Sequence, residues 1–92
     1  MAPRRVIVTV TGRVQGVAFR AACQREASTR AVTGWVRNRA DGSVEALFEG
    51  PANAVDAMIR WCHRGPSAAE VGQIQVVEAP EGPEHRGFSV RY

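Results

Sequence analysis

The chain has 92 residues, 45% of them hydrophobic and 23% charged, a composition typical of a soluble globular protein that forms its core without metals or disulfides. The net charge is +3, and all 12 basic residues are arginine, so lysine chemistry such as Schiff-base formation is excluded. A basic chain suits an anionic ligand, either a small phosphate compound or a nucleic acid. No apolar run approaches the ~20 residues of a membrane-spanning helix, and no secretory segment precedes the first strand, so we expect a cytoplasmic protein.

The first two elements are predicted to be a strand and a helix. Residues 5–11 alternate in hydrophobicity, which predicts a strand. The apolar positions then change to helical spacing, which predicts a helix from about Val17 to Arg30. The apolar stripe of this helix consists of Phe19, Ala22, Cys23 and Ala27.

The middle of the chain is predicted to form a β-hairpin. Residues 34–38 and 43–49 are strand-like and flank an Asp-Gly pair, which is typical of a tight turn. Asp41 belongs to that turn, and Glu45 occupies a solvent-facing strand position. We therefore assign neither carboxylate to a functional site.

The second half of the chain is predicted to contain one helix and two strands. Residues 50–51 are typical of a helix start and residues 65–66 of a helix end. Trp61 is predicted to lie off the buried stripe of this helix and to cover its edge. Residues 71–78 and 87–92 are strand-like. The predicted buried stripe consists of Val55, Met58, Ile59 and Cys62.

This order of elements predicts an α+β fold, the ferredoxin-like split βαβ sandwich, in which two helices cover one face of an antiparallel sheet. We expect a single domain over residues 1–92. Right-handed crossover connections make the first and second strands parallel, although another strand lies between them. The loop after the first strand, residues 12–17, and Asn38 at the end of the second strand should therefore meet at the same end of the sheet.

The junction between the first strand and the first helix contains Gly12 and Gly16 and leads to Arg20. Such a junction leaves several main-chain N–H groups unpaired, which favours an anion site. The planar guanidinium of Arg20 matches the spacing of phosphate oxygens. The same residues are also compatible with an ordinary strand–helix connection that carries a surface arginine.

The chemistry available to such a site is narrow. Asn38 can orient a water molecule but is neither a strong base nor a nucleophile. Cys23 and Cys62 lie in no metal-binding spacing, and we expect both to be core thiols. A site of N–H groups, one arginine and one asparagine can position and neutralise charge, which is most of what phosphoryl transfer requires. Without an acid or a metal, the leaving group must depart readily by itself; a carboxylate, whose conjugate acid has a pKa of about 4, does so, whereas an alkoxide does not.

Two segments, GRVQGVAFR at 12–20 and GWVRN at 34–38, resemble the signature segments of the acylphosphatase family. Residues 41–45 and Gly50 continue the second segment. The resemblance extends to residues 88–92 and covers nearly the whole chain. It implies a ferredoxin-like fold and an acylphosphatase, an enzyme that hydrolyses acyl phosphates (mixed anhydrides of carboxylic and phosphoric acids) without a metal ion.

The same resemblance implies roles for individual residues. Arg20 and the main-chain amides of a phosphate-binding loop would hold the phosphoryl group. Asn38 would orient the attacking water for a direct in-line displacement, without a phosphoenzyme. The residues of the loop are Gln15, Gly16, Val17, Ala18, Phe19 and Arg20.

We expect no cofactor and no metal ion, and we expect a monomer with neither nucleic-acid nor membrane partners. The expected ligands are a small-molecule acyl phosphate and inorganic phosphate, which is both product and competitive inhibitor. Two alternatives stay open. A small-anion-binding regulatory domain would share the loop but would not need Asn38. An RNA-binding module would need exposed aromatic residues on the central strands, whereas Phe48 and Phe88 are predicted to be core residues.

Overall fold

The computed structural model describes residues 3–92. Met1 and Ala2, with which the expected domain begins, lie outside the described residues. The order of elements confirms the predicted β-α-β-β-α-β pattern with a short last strand. The elements are β1 (Pro3–Arg13), α1 (Phe19–Thr29), β2 (Thr33–Asn38), β3 (Val44–Pro51), α2 (Ala52–Arg64), β4 (Glu70–Glu78) and β5 (Phe88–Arg91).

The five strands form one sheet in the order β4-β1-β3-β2-β5. β1 and β2 both run antiparallel to β3, which lies between them, so β1 and β2 are parallel to each other, as the crossover rule predicts. β4 is antiparallel to β1. The sheet was predicted to be antiparallel, but it is mixed. Residues 79–87 lead from β4 at one edge to β5 at the other edge, where β5 pairs in parallel with β2. The ends of β1, β2 and β5 therefore lie at the same end of the sheet.

Both helices pack on one face of the sheet, and the core lies between the two layers. Phe48 and Phe88 are buried there, with stacked rings whose centroids are 5.8 Å apart. Cys23 and Cys62 are also buried and unbridged, which confirms that they are core thiols. Burial raises the pKa of both thiols, that of Cys62 to about 12.

The prediction that Trp61 only covers the edge of the α2 stripe is wrong. Trp61 is buried, and its ring centroid lies 5.2 Å from that of Phe19 at the start of α1. α2 therefore buries the side that faces α1 as well as the side that faces the sheet. Ile59, which was predicted to be in the stripe, is only half-buried.

Candidate active site

The loop between β1 and α1 has an unusual main-chain conformation. Gly16 has a φ of 75° and Ala18 a φ of 61°, both in the left-handed region. Left-handed residues turn successive N–H groups towards a common point. Among the described residues, no N–H group of residues 15–18 donates to a main-chain carbonyl. The left-handed Ala18 also explains why α1 begins at Phe19, two residues later than predicted.

The first turn of α1 adds further unpaired N–H groups and the positive end of the helix dipole. The loop and this turn border a cavity of about 250 Å³. Gly16, Ala18, Phe19 and Arg20 line it, and Asn38 lines it from the end of β2. The structure thus brings together at one cavity two side chains that are 18 positions apart in sequence, as the parallel arrangement of β1 and β2 predicts.

The side chains of two loop residues lie elsewhere. Val17 is half-buried and packs against the core. The Gln15 side chain points to the turn between β2 and β3, where its Nε2 donates to the main-chain oxygens of Arg39, at 2.7 Å, and Ser43, at 2.9 Å. Neither side chain lines the cavity. Any contribution of these two residues to a bound anion therefore comes from their main-chain N–H groups.

Arg20 is half-buried and held by β5. Its Nη1 donates to the main-chain oxygen of Arg91 at 3.1 Å. The centre of its guanidinium lies 4.5 Å from the centroid of the Tyr92 ring, which also lines the cavity. A guanidinium has five N–H donors, and the bond to Arg91 uses one of them. The others remain available for an anion.

Asn38 is the last residue of β2 and is carried by a tightly closed turn. In this turn the N–H of Arg39 donates to the oxygen of Ser43 at 2.8 Å, and the N–H of Gly42 donates to the oxygen of Arg39 at 3.1 Å. Asp41 accepts hydrogen bonds from the hydroxyl and the N–H of Ser43, and these bonds lower the pKa of Asp41.

The carboxylates near the site serve the fold, as expected. Asp41 closes the turn, and Glu45 forms an ion pair with Arg37 at 2.6 Å. In the part of the chain that the structure describes, no Asp, Glu, His or Cys lines the cavity. Over residues 3–92 there is also no group of three or more such residues that could hold a metal ion. The cavity itself therefore offers main-chain N–H donors, one guanidinium, the carboxamides of Asn38 and Gln24, and the phenol of Tyr92.

The sequence model of the acylphosphatase family matches residues 6–90. The chain belongs to the acylphosphatase family. The match runs from β1 to Val90 in β5, so it includes both Arg20 and Asn38 and every described cavity-lining residue except Tyr92. The acylphosphatase fold thus accounts for the way in which two distant sequence segments form one cavity.

Individual acylphosphatases are similar over almost the whole chain. The acylphosphatase of Rubrobacter xylanophilus is 53% identical over 88 residues, which cover 96% of this chain and 80% of that one. The acylphosphatase of Haloarcula marismortui is 50% identical over 93 residues, with full coverage of both chains. The crystal structure of the acylphosphatase from Bacillus subtilis superposes with a TM-score of 0.91 at 42% identity, covering 96% of this chain and 98% of that one. This likeness confirms the predicted ferredoxin-like fold.

Two features of this acylphosphatase site were missed from the sequence. The Gln15 side chain was assigned no contact, and Tyr92 was not connected with Arg20. For Tyr92 a signal was available, because residues 88, 90 and 92 alternate and therefore lie on the same face of the sheet, the face that the helices cover. Since β5 pairs in parallel with β2, the end of β5 on that face lies next to the cavity. For Gln15 we find no sequence signal, since its contacts depend on the course of its side chain.

Among the described residues, no helix has the length and apolar character needed to cross a membrane.

Proposed function

We propose that this acylphosphatase hydrolyses acyl phosphates by in-line attack of a water molecule oriented by Asn38, on a phosphoryl group held by Arg20 and the main-chain amides of residues 15–20. The observation that carries the proposal is the position of Arg20 and Asn38 on one cavity beside a loop of unpaired N–H groups. The loop supports it further, because a left-handed alanine stores strain of about 1 kcal/mol or more, and such strain is concentrated at functional sites.

The roles follow from the charges. The three non-bridging oxygens of the phosphoryl group carry the negative charge of a loose transition state, and N–H donors and a guanidinium stabilise it there. The Asn38 carboxamide oxygen accepts a hydrogen bond from the attacking water. The new bond joins the water oxygen to phosphorus, the bond from phosphorus to the acyl oxygen breaks, and the water proton passes to solvent or to the phosphate formed.

The leaving group follows from the same side chains. Within the described residues the cavity lining contains no carboxyl, imidazole or thiol group, and its one phenol, that of Tyr92, is only a weak proton donor. A carboxylate leaves without a proton because its conjugate acid has a pKa of about 4, whereas an alkoxide does not. This chemistry favours acyl phosphates over phosphate esters.

We extend the proposal to the way in which the enzyme works in the cell. It acts as a single domain over its 92 residues, as a cytoplasmic monomer that needs no metal ion or cofactor, and without nucleic-acid or membrane partners. The burial of Phe48 and Phe88 supports the absence of an RNA partner, because neither ring is exposed to stack with a base. Inorganic phosphate is product and competitive inhibitor, because it fits the same N–H groups and guanidinium.

The test is phosphate release from acetyl phosphate in EDTA by the wild type, Arg20→Ala and Asn38→Ala. We expect each variant to lose about 100-fold or more in kcat/KM, as for removal of a transition-state donor. Arg20→Ala should also weaken competitive inhibition by phosphate, whereas Asn38→Ala should leave it nearly unchanged. Arg25→Ala, an exposed arginine on α1, and Asn53→Ala, an exposed asparagine on α2, are matched controls.

Circular dichroism shows whether each variant is folded. Wild-type turnover in a folded Arg20→Ala or Asn38→Ala variant contradicts the assignment, and so does inhibition by phosphate that is not competitive. Loss of wild-type activity in EDTA, restored by a divalent cation, contradicts the metal-independent mechanism. If Asn38→Ala keeps phosphate binding and the wild type has no turnover, the protein is an anion-binding regulatory domain instead.

A further inference from the structure

We propose that the end of β5 positions Arg20, through the Arg91 carbonyl and above all through the Tyr92 ring, so that the guanidinium is oriented for the phosphoryl group before substrate binds. The inference rests on the proposed role of Arg20 in phosphoryl binding. Tyr92 is therefore assigned as a positioning residue that acts through Arg20.

The two contacts restrain the guanidinium in different ways. The hydrogen bond from Nη1 to the Arg91 oxygen, at 3.1 Å, fixes one edge of the group. The Tyr92 ring, at 4.5 Å from the guanidinium carbon, provides an aromatic surface on which the group rests. An arginine side chain loses much rotational freedom when it binds an anion, so contacts that restrain it beforehand reduce that cost.

The exposure of Tyr92 argues against a role in the core. Its side chain is fully exposed, so the ring contributes no buried area to folding. Position 92 also borders the cavity that Arg20 and Asn38 share.

The start of β5 is firmly held, which makes its end a suitable support. Phe88 is buried against Phe48, and its main-chain oxygen accepts a hydrogen bond from Gln24 Nε2 at 3.0 Å. The parallel register with β2 runs from the pair of residues 34 and 88 to the pair of residues 37 and 91. Continued by one residue, it places Tyr92 beside Asn38, so the same two strand ends carry both the water-orienting group and the support of Arg20.

The first experiment compares Tyr92→Phe with Tyr92→Leu. The measured quantities are the dissociation constant of inorganic phosphate, kcat and KM for acetyl phosphate, and the urea midpoint. We expect Tyr92→Leu to weaken phosphate binding and to lower kcat/KM about threefold to tenfold, since it removes the aromatic face. Tyr92→Phe should retain both quantities within twofold, because it keeps the face. The urea midpoint should not change in either variant, and Val77→Ala, at another exposed position, is the control for surface substitution.

A double-mutant cycle separates positioning from a direct contact with substrate. In an Arg20→Lys background the planar guanidinium is gone, so Tyr92→Leu should have almost no further effect on phosphate binding. Wild-type phosphate binding in Tyr92→Leu, equal losses in Tyr92→Phe and Tyr92→Leu, or an undiminished loss in the Arg20→Lys background would each overturn the proposal. If Tyr92→Leu binds phosphate like the wild type while Arg20→Ala is inactive, only the positioning role of Tyr92 is contradicted. If Arg20→Ala is fully active, the proposed function itself is contradicted.

Discussion

Gln15 Nε2 lies 2.7 Å from the main-chain oxygen of Arg39, the residue directly after Asn38. The same Nε2 also donates to the oxygen of Ser43 at 2.9 Å, so one carboxamide joins the proposed phosphate-binding loop to the turn that carries Asn38. The loop joins β1 to α1 and the turn joins β2 to β3, and this side chain bridges the two. In the proposed mechanism, the spacing between the phosphoryl group and the attacking water therefore depends on a residue outside the cavity lining.

We expect Gln15→Met to lower kcat for acetyl phosphate about fivefold to twentyfold. The variant keeps the approximate length of the side chain but loses two hydrogen bonds, each with a net value of about 1 kcal/mol. The inhibition constant of phosphate should change by less than about threefold, because in the proposed site main-chain N–H groups, and not the Gln15 side chain, bind the anion. Steady-state kinetics with phosphate as inhibitor measure both quantities.

The control is Gln75→Met, at an exposed position on β4. It should match the wild type in kcat and in phosphate inhibition. If Gln15→Met weakened phosphate binding as much as it lowered kcat, the side chain would be supporting the loop alone and not the alignment of loop and turn.

The proximity of Arg20 and Asn38 at one end of the sheet was predictable, because it depends only on the directions of β1 and β2. Alternating hydrophobicity identified β1 and β2, and crossover handedness made them parallel, so both residues had to lie at one end of the sheet. The left-handed Ala18 was not predictable, since alanine disfavours that conformation and only the surrounding structure holds it there. The contacts of Gln15 likewise depend on the conformation of its side chain. For Tyr92, the alternation of residues 88, 90 and 92 indicated its face, but the contact with Arg20 also required the pairing of β5 with β2, which local sequence does not specify.

Gly16→Ala should weaken phosphate binding about threefold to tenfold. Its φ of 75° is unfavourable for a residue with a Cβ, by about 1 kcal/mol, so the loop would relax away from the conformation that aligns its N–H groups. Among the described residues, and apart from the two adjacent ones, no atom lies within 4 Å of the added methyl group, so a clash inside the fold does not explain such a loss. Calorimetric titration with phosphate measures the effect.

Gly87→Ala is a matched control for the glycine at position 16. Gly87 has a φ of 94°, also has no atom within 4 Å of an added Cβ, and precedes β5 at the end away from the cavity. It should lose a similar amount of stability while phosphate affinity stays within about twofold of the wild type. Equal affinities in the two variants would show that Gly16 is only a turn former.

The buried thiols predict a decline of stability at alkaline pH. Burial raises the pKa of Cys62 from 9.0 to about 12 in the folded protein, whereas the unfolded chain keeps the ordinary value. The folded state therefore holds the proton more tightly. The contribution of this thiol to stability is complete below pH 9 and is lost as the pH rises towards 12. At pH 10.5 one such thiol should cost roughly 2 kcal/mol of unfolding free energy relative to pH 8.

Urea unfolding at pH 8 and pH 10.5 tests this prediction with the wild type and Cys62→Ala. The alanine variant starts less stable because it leaves a small cavity, but it should lose less free energy between the two pH values. In the native protein, neither Cys23 nor Cys62 should react with a thiol reagent at pH 8, and both should react in urea. Rapid labelling of the native protein, or identical pH slopes in the two proteins, contradicts the burial argument.

The packing of Trp61 against Phe19 predicts which side of α2 matters most for stability. Trp61→Ala should cost about 3–5 kcal/mol of unfolding free energy, since it opens a cavity between the two helices. Ile59→Ala, at a half-buried position, should cost less than half as much. Circular dichroism during urea unfolding measures the unfolding free energies of both variants without depending on tryptophan fluorescence. Because Phe19 lines the cavity and begins α1, Trp61→Ala should also lower kcat/KM below the transition, whereas Ile59→Ala should not. A larger stability loss in Ile59→Ala than in Trp61→Ala would contradict this prediction and would favour the original interpretation from the periodicity of α2, in which Trp61 only covers the edge of the stripe.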